Sequence, residues 1–174
     1  QGDGGFLPFE VVNDILTAYG IRVPRVALAT TAAEAVDMAW QIGFPVALKI
    51  AAPDIVHKSE AGGVRLNLQD PDGVRRAFDE VLSAARAAAP QADILGVYVQ
   101  QMILIGQEVI VGAVQDAQFG PLVMFGSGGV EVEGLRDVEF ALAPVTPGEA
   151  EGLLARTWAG RRLGGFRNMP PADR

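Results

Sequence analysis

A long polar loop between two β-prone segments constrains this chain more than any other sequence feature. Residues 44–51 form an apolar run that only Lys49 interrupts, which is typical of a strand buried on both faces. The next twelve residues are rich in Pro, Gly and charge and end at Gly62 and Gly63. The alternating segment 64–68 then predicts another strand. The pattern therefore predicts two strands that flank a long loop ending in glycine.

Helical and β-prone segments are interspersed along the rest of the chain. Helical spacing or capping residues predict helices over 9–18, 31–42, 70–89 and 147–158. β-prone residues predict strands over 23–29, 94–102, 108–114 and 121–125. This mixture favours an α/β or α+β fold in two lobes, with the join near residues 100–105.

Charge and composition exclude several classes of partner and site. The net charge of −7 repels phosphate backbones and anionic lipid, so we expect no nucleic acid and no membrane partner. The absence of cysteine excludes disulfides and thiolate sites. No apolar run approaches the roughly 20 residues that span a bilayer, and a cytoplasmic location is the default expectation. The Gly-rich start without Met predicts a linker over 1–8 in a fragment of a longer protein.

The two lysines of the chain both lie in or beside the strand–loop–strand unit. An ammonium within an apolar strand carries a desolvation cost unless an anion compensates it, so Lys49 is the better candidate to bind phosphate. The alternative for Lys49 is a side chain that extends from a strand edge to solvent. The alternative for Lys58 is a solvated loop charge.

The loop between the strands carries two further candidates. Gly62 and Gly63 could let backbone N–H groups approach phosphate oxygens, although a Gly pair that enters a strand is more often a simple turn. His57 is the only histidine, and a neutral imidazole beside the ammonium of Lys58 suits attack on phosphorus. The alternative is an incidental surface histidine. Neither GxxxxGK[ST] nor GxGxxG occurs in the chain.

Candidates for adenine, ribose or metal lie further along the chain. Residues 98–103 resemble an extended hinge whose backbone could bind an adenine edge while Met102 and Ile103 cover its face; the alternative is a plain core strand. Carboxylates suited to ribose or Mg²⁺ follow, with a solvated acidic face as the alternative: Glu108, Asp116, Glu131, Glu133, Asp137 and Glu139. Ser127, Gly128 and Gly129 could bring amides to an anion or form a turn.

Taken in order, these stretches resemble the ATP-grasp region of the NDP-forming acyl-CoA synthetase family. That family includes the β subunit of ADP-forming acetate–CoA ligase and its fused equivalents. The resemblance runs from about Leu16 to Asp173, and the order and spacing of its pieces make it specific. The matching segments are 18–24, 43–50, 53–64, 99–102, 108–112, 116–121, 125–129 and 170–173.

The resemblance implies an α+β, ATP-grasp fold with ATP or ADP between two lobes. Residues 9–99 correspond to the N-terminal lobe and residues 100–174 to a C-terminal lobe that is incomplete. The family continues beyond Arg174 into strands whose Asn and Asp groups are expected to hold Mg²⁺. The metal ligands are therefore unknown in this chain.

The resemblance also implies roles for individual residues. Lys49 and Lys58 would contact the nucleotide phosphates, and the loop through Gly62 and Gly63 would close over them. The remaining nucleotide contacts would come from the hinge and one carboxylate: Gln100, Gln101, Met102, Ile103 and Glu108. His57 stands where the family has a second phosphoryl carrier, which would make it the catalytic residue.

The activity implied is that of an acid–thiol ligase, in which acyl-CoA, ADP and phosphate give carboxylic acid, ATP and CoA. A CoA-binding partner, an α subunit or a fused domain, would take the acyl-CoA or carboxylic acid and carry its own phosphohistidine. This chain alone is therefore expected to be inactive.

Two positions depart from the family pattern. Glu131 replaces a usual aromatic residue, and Ala141 replaces a usual Arg. They motivate an alternative hypothesis, in which the chain is an ATP-grasp-like regulatory or scaffolding module of a larger protein such as a protein lysine acyltransferase.

Overall fold

The structure is a computed structural model that describes residues 7, 9–55, 58–103, 106–129 and 137–172. The chain divides into two compact units, Gln1–Ile103 and Leu104–Arg174, each with its own antiparallel sheet. The predicted border between residues 99 and 100 falls inside a strand that ends at Gln101, and the units divide two residues after that strand. Among the described residues, no helix combines the length and apolar character needed to cross a membrane.

The first unit is an α+β layer structure. Its elements are α1 (Phe9–Ala18), β1 (Val26–Ala29), α2 (Ala32–Ile42), β2 (Val46–Ala51), β3 (Val64–Leu68), α3 (Pro71–Ala88) and β4 (Gly96–Gln101). The strands pair in the order β1-β4-β2-β3. Helices α2 and α3 pack against one face, where Leu48, Ile50, Val97 and Val99 are fully buried. Because strand side chains alternate between faces, the residues between these four lie on the opposite face of the sheet.

Local capping explains where α2 and α3 begin. The Thr31 hydroxyl accepts the N–H of Glu34, whose carboxylate accepts the N–H groups of Thr30 and Thr31 in return. Asp70 caps α3 in the same way through the N–H of Gly73. Each cap satisfies donors that a helix N-terminus leaves without a partner. These helices therefore begin where the sequence predicts.

The second unit has a smaller sheet and two short helices. Its elements are β5 (Val109–Asp116), β6 (Gly120–Ser127), β7 (Val138–Leu142), α4 (Pro147–Arg156) and α5 (Trp158–Arg162). The strands pair in the order β5-β6-β7. Phe125 of β6 packs with Leu153 and Ala159 of the helices to form a small core.

Two features of the second unit differ from the sequence-based prediction. Strand β7 was not predicted, and it is held by its register with β6, in which Val138 pairs with Gly126 and Leu142 with Leu122. The single helix predicted over 147–158 is wrong, because Thr157 interrupts it with an extended backbone. The Thr157 hydroxyl accepts the N–H of Gly160 and caps a separate helix, α5.

Candidate functional site

The face of the first sheet opposite α2 and α3 presents Lys49 and Tyr98 side by side. Lys49 on β2 is paired directly with Tyr98 on β4 and with Val64 on β3. Lys49 alternates with the buried Leu48 and Ile50, which places its side chain on the other face of the sheet. The strand that the sequence singles out therefore delivers an ammonium to a face that those two helices leave open.

The ammonium of Lys49 is half-buried and forms no ion pair with any residue that the structure describes. Burial lowers the pKa of Lys49, and the positive charge of Lys58 lowers it further. Both effects disfavour the charged form of the side chain. An anion placed beside Lys49 would remove both penalties, so the local electrostatics favour an anionic ligand.

Lys58 is brought to the same face by the loop after β2. Its ammonium lies 5.7 Å from the centre of the Tyr98 ring, within the range of a cation–π contact. The Tyr98 ring also contacts Phe9 of α1 at 5.3 Å between ring centres. Helix α1 leaves a cavity of about 280 Å³ on this face, lined by Asn13, Asp14 and Tyr98 among others.

The Gly pair closes the loop that carries Lys58. The N–H of Gly63 donates to the carbonyl of Lys58, and the carbonyl of Gly63 accepts the N–H of Ile50, both at 2.8 Å. A Cβ on Gly63 would stand 2.6 Å from Cγ2 of Ile50. Gly62 has a φ of 66°, which favours glycine, and its N–H donates to the carbonyl of Ser59. Both amides of the pair thus have partners inside the loop, and glycine is required there by close packing and by backbone conformation.

His57 and its neighbour Val56 lie outside the described residues. The chain enters that gap from Ile55, which is buried in the core of the first unit, and leaves it at Lys58. The role assigned to His57 therefore stays a prediction.

The predicted hinge segment is partly strand and partly exposed. Gln100 pairs with Val26 and Ala47 at the centre of the sheet. The N–H of Gln101 donates to the carbonyl of Arg25, and the N–H of Met102 donates to the carbonyl of Pro45. Ile103 follows with 63% of its surface exposed. The segment thus leaves the sheet at Met102 and offers an apolar side chain at its end.

In the second unit, Glu108 covers the glycine turn that follows β6. The carbonyl of Glu108 accepts the N–H of Gly128 at 3.1 Å. The Glu108 carboxylate lies against Gly129, where a Cβ would clash with Oε2. Gly129 has a φ of 65°. The turn thus requires glycine, and it holds a carboxylate at the start of β5.

Most of the other described carboxylates have structural partners. Asp116 accepts the N–H groups of Gln118 and Phe119 in the turn before β6, and these bonds lower the pKa of Asp116. Glu139 forms an ion pair with Arg156 at 3.1 Å. Glu131 and Glu133 lie outside the described residues. Within the described ranges, no three acidic or histidine side chains gather into a group that could hold a metal ion.

Asp137 joins β6 to α5 through its carboxylate. It accepts the Ser127 hydroxyl at 2.7 Å and the N–H groups of Trp158 and Ala159 at 2.6 and 2.8 Å. Burial acts to raise the pKa of Asp137, but these hydrogen bonds and the charge of Arg161 lower it overall. Asp137 is therefore a structural carboxylate and not a free ligand. Ala141, which departs from the family pattern, packs against the small core of this unit.

Sequence reasoning did not single out Tyr98 as a site residue. The signal was present in its position between Val97 and Val99, which puts its ring on the face opposite these core residues. What the sequence did not show is that residue 58 returns to that ring across 40 positions of chain.

Comparisons with known proteins place these residues in a family. An ATP-grasp domain family model matches residues 3–174. Acetate–CoA ligase [ADP-forming] I of Archaeoglobus fulgidus is 48% identical over 159 residues, which are 91% of this chain and 23% of that protein. The β subunit of acetate–CoA ligase [ADP-forming] I of Pyrococcus furiosus is 44% identical over 92% of this chain and 69% of the subunit. The chain thus spans about a quarter of the first relative and about two thirds of the second.

One solved structure has a similar fold. The dinucleotide-forming acetyl-coenzyme A synthetase 1 of Ca. Korarchaeum cryptofilum matches with a TM-score of 0.79 and 40% identity, covering 99% of this chain and 73% of that chain. It is a complex with coenzyme A and Mg-AMPPCP, in which the phosphohistidine segment points towards the nucleotide-binding site. The α+β, ATP-grasp fold expected from the sequence is confirmed.

Proposed function

Because the chain belongs to the ATP-grasp domain family, we propose that it is the nucleotide-binding part of an ADP-forming acyl-CoA synthetase. The whole enzyme would convert acyl-CoA, ADP and phosphate to carboxylic acid, ATP and CoA, and the reaction would run in both directions. The two ligase relatives support this activity, since the similarity to each of them covers about nine tenths of this chain.

The observation that carries the proposal is the ammonium of Lys49, which has no ion-pair partner among the residues that the structure describes. A half-buried positive charge without a counter-ion costs free energy in the free protein. An anion that binds on the open sheet face offsets this cost. Lys49 would thus bind the ADP or ATP phosphates as a point charge. Lys58, held beside it over Tyr98, would supply another positive charge on the same face.

The loop and the hinge would complete the nucleotide contacts. Gly62 and Gly63 would shape the closure of the loop over the phosphates, and their own amides would stay bonded within it. The hinge residues, including the exposed Ile103, would contact adenine. The carboxylate of Glu108 would accept hydrogen bonds from ribose hydroxyls. These side chains would act by positioning and charge neutralisation, which supply most of the catalysis in phosphoryl transfer.

Magnesium would arrive with the nucleotide. Mg²⁺ is commonly bound through one or two carboxylates together with substrate phosphates. The described residues hold no acidic cluster that fits a protein-borne site, so no ligand of this chain is assigned to the metal.

His57 would carry the phosphoryl group between the two active centres. Its imidazole nitrogen would attack the phosphorus of a phosphohistidine on the CoA-binding partner, a subunit or a fused domain, and the P–N bond to the partner would break as the bond to His57 forms. A terminal oxygen of ADP would then attack the same phosphorus, form ATP and release the imidazole. Loop lids move on μs–ms timescales, which are compatible with turnover.

Calorimetric titration of the whole enzyme tests the nucleotide site. MgADP should bind the wild type, and Lys49→Met should weaken binding by about 1–3 kcal/mol because a charge-assisted contact is lost. Arg75→Met is a matched control, since Arg75 is an exposed cation paired with Asp72 on α3. Equal affinity of wild type and Lys49→Met for MgADP would refute the role of Lys49.

Labelling of the whole enzyme tests the carrier. With γ-labelled ATP at alkaline pH, which preserves a phosphoramidate, this chain should take up label in the wild type. His57→Ala should abolish the label and the overall turnover while leaving nucleotide binding intact. A labelled, fully active His57→Ala enzyme would show that another residue carries the phosphoryl group.

The same relatives bear on the alternative of a regulatory module in a protein lysine acyltransferase. Both of those reported above are CoA ligases, which supports the synthetase over that alternative.

A further inference from the structure

Tyr98 connects three parts of the first unit on the open sheet face. It belongs to β4, it is paired with Lys49 across the sheet, and its ring stands beneath the ammonium of Lys58. On the side of α1, the ring contacts Phe9. A single side chain thus lies between the loop cation, the strand cation and a helix.

The positive charges of Lys49 and Lys58 repel each other, so Lys58 needs an attractive contact to stay beside Lys49. The charge of Lys58 already disfavours the charged form of Lys49, and no other charged side chain among the described residues is identified as acting on Lys49. From the other strands, Lys49 faces the phenol of Tyr98 and the apolar Val64. The negative face of an aromatic ring attracts an ammonium, which offsets this repulsion.

We propose that Tyr98 is a positioning residue, whose ring holds the Lys58 ammonium beside Lys49 so that both lysines face one anionic ligand. The inference rests on the proposed function for the identity of that ligand, a nucleoside diphosphate or triphosphate. It assigns Tyr98 no contact with the nucleotide.

The ring face carries the effect in this inference. Tyr98→Phe keeps the ring and should therefore keep Lys58 in place. Tyr98→Leu removes the ring, and the Lys58 ammonium should then leave the face for solvent. The neighbouring charge that lowers the pKa of Lys49 would leave with it, so the pKa of Lys49 should rise.

The lysine content of the chain makes this measurable in the nucleotide-free protein. Because Lys49 and Lys58 are the only lysines, ¹³C labelling of lysine gives two side-chain signals, which Lys49→Arg and Lys58→Arg assign. In the wild type and Tyr98→Phe, ring current should shift the Lys58 Hε protons upfield. In Tyr98→Leu that shift should disappear, and the titration midpoint of Lys49 should move up.

A double-mutant cycle separates positioning from general damage to the fold. In a Lys58→Gln background, Tyr98→Leu should leave the Lys49 midpoint unchanged, because the charge it controls is already absent. Tyr19→Leu is the matched control: Tyr19 is the other tyrosine, 83% exposed at the end of α1, and its loss should move neither signal. If Tyr98→Leu does not fold, the ring-current shift of Lys58 in the wild type tests the position of Lys58 by itself.

Titration of the whole enzyme with MgADP then tests the link to function. Tyr98→Leu should weaken binding about two- to five-fold, and Tyr98→Phe should restore wild-type affinity. An unshifted Lys58 signal in the wild type, or equal Lys49 midpoints in wild type and Tyr98→Leu, would overturn the inference. So would unchanged MgADP affinity in Tyr98→Leu. Failure of the wild type to bind MgADP, with the lysine signals behaving as expected, would overturn the proposed function and leave the positioning of Lys58 by Tyr98 standing.

Discussion

The hydroxyl of Ser127 donates a 2.7 Å hydrogen bond to the carboxylate of Asp137, which joins the end of β6 to the start of β7. Ser127 is 2% exposed, so its hydroxyl has little access to water as a substitute partner. The same carboxylate accepts the first two N–H groups of α5. One side chain therefore ties the sheet of the second unit to the helix that follows it.

Removal of that carboxylate should destabilise the second unit. Asp137→Ala leaves the Ser127 hydroxyl and two backbone N–H groups without their acceptor, which should cost about 1.5–3 kcal/mol in the free energy of unfolding. Urea unfolding at pH 7 measures it through the fluorescence of Trp158, in a Trp40→Phe background that leaves one tryptophan. Glu139→Gln is the control: it breaks a partly exposed ion pair and should cost less than about 1 kcal/mol.

The contribution of Asp137 should also depend on pH in the acid range. Its pKa is lowered below the ordinary value of 3.8, so the folded unit holds the proton less tightly than the unfolded chain does. The stabilisation is therefore present above pH 3.8 and is lost as the pH falls through the lowered pKa. The difference between wild type and Asp137→Ala should shrink in urea unfolding below pH 3.8. A constant difference across that range would contradict the hydrogen-bonded carboxylate.

Gly63 should tolerate no larger residue at the end of the loop. In Gly63→Ala the new Cβ would meet Ile50 at 2.6 Å and the carbonyl of Lys58 at 3.0 Å. Overpacking of this kind typically costs about 1–3 kcal/mol. In Gly148→Ala, at an open position of α4, nothing lies within 4 Å, and the change should stabilise the protein by about 0.4–1 kcal/mol. Thermal unfolding of both variants measures the contrast, and equal effects would contradict the packing of Gly63.

The sequence predicted the helices and strands that depend on capping residues and on the spacing of nearby apolar residues. Helix α1 matches the predicted range 9–18, α2 and α3 begin at the predicted caps, and β3 matches 64–68. Strand β7 was missed because its five residues become a strand through pairing with β6, which no local pattern shows. Thr157 was missed as a helix boundary because helical spacing continues across it while its hydroxyl serves as a cap.

The same distinction holds for the candidate site. Lys49 could be found because an ammonium within an apolar strand is anomalous in the sequence itself. Its environment could not be found, because the nearness of Lys58 and Tyr98 depends on contacts between distant parts of the chain. The partners of Asp137 come from β6 and α5, so the sequence showed only one acid among several.

Replacement of Lys49 by an uncharged residue should stabilise the first unit at neutral pH. Because the pKa of Lys49 is lowered on folding, the unfolded chain binds this proton more tightly. The free energy of unfolding should therefore rise with pH from the lowered pKa up to about 10.5, and this rise should be absent in Lys49→Met. At pH 7 we expect Lys49→Met to be more stable than the wild type, because binding sites commonly sacrifice stability for function. Urea unfolding followed by Trp40 fluorescence, in a Trp158→Phe background, measures it, and a loss of stability would contradict an uncompensated charge at Lys49.

Binding of a nucleotide should draw a proton onto Lys49 at alkaline pH. In the free protein, burial and the charge of Lys58 lower the pKa of Lys49. Phosphate placed beside the ammonium favours its charged form and raises that pKa again. Between the two pKa values binding must therefore take up protons, and the affinity for MgADP must fall as pH rises through the lower one. Calorimetry in two buffers of different ionisation enthalpy at one alkaline pH measures the uptake directly. Lys49→Arg is the informative comparison, because a guanidinium stays charged throughout this range. It should bind MgADP without the Lys49-linked proton uptake, and the same uptake in both proteins would assign the proton to another group.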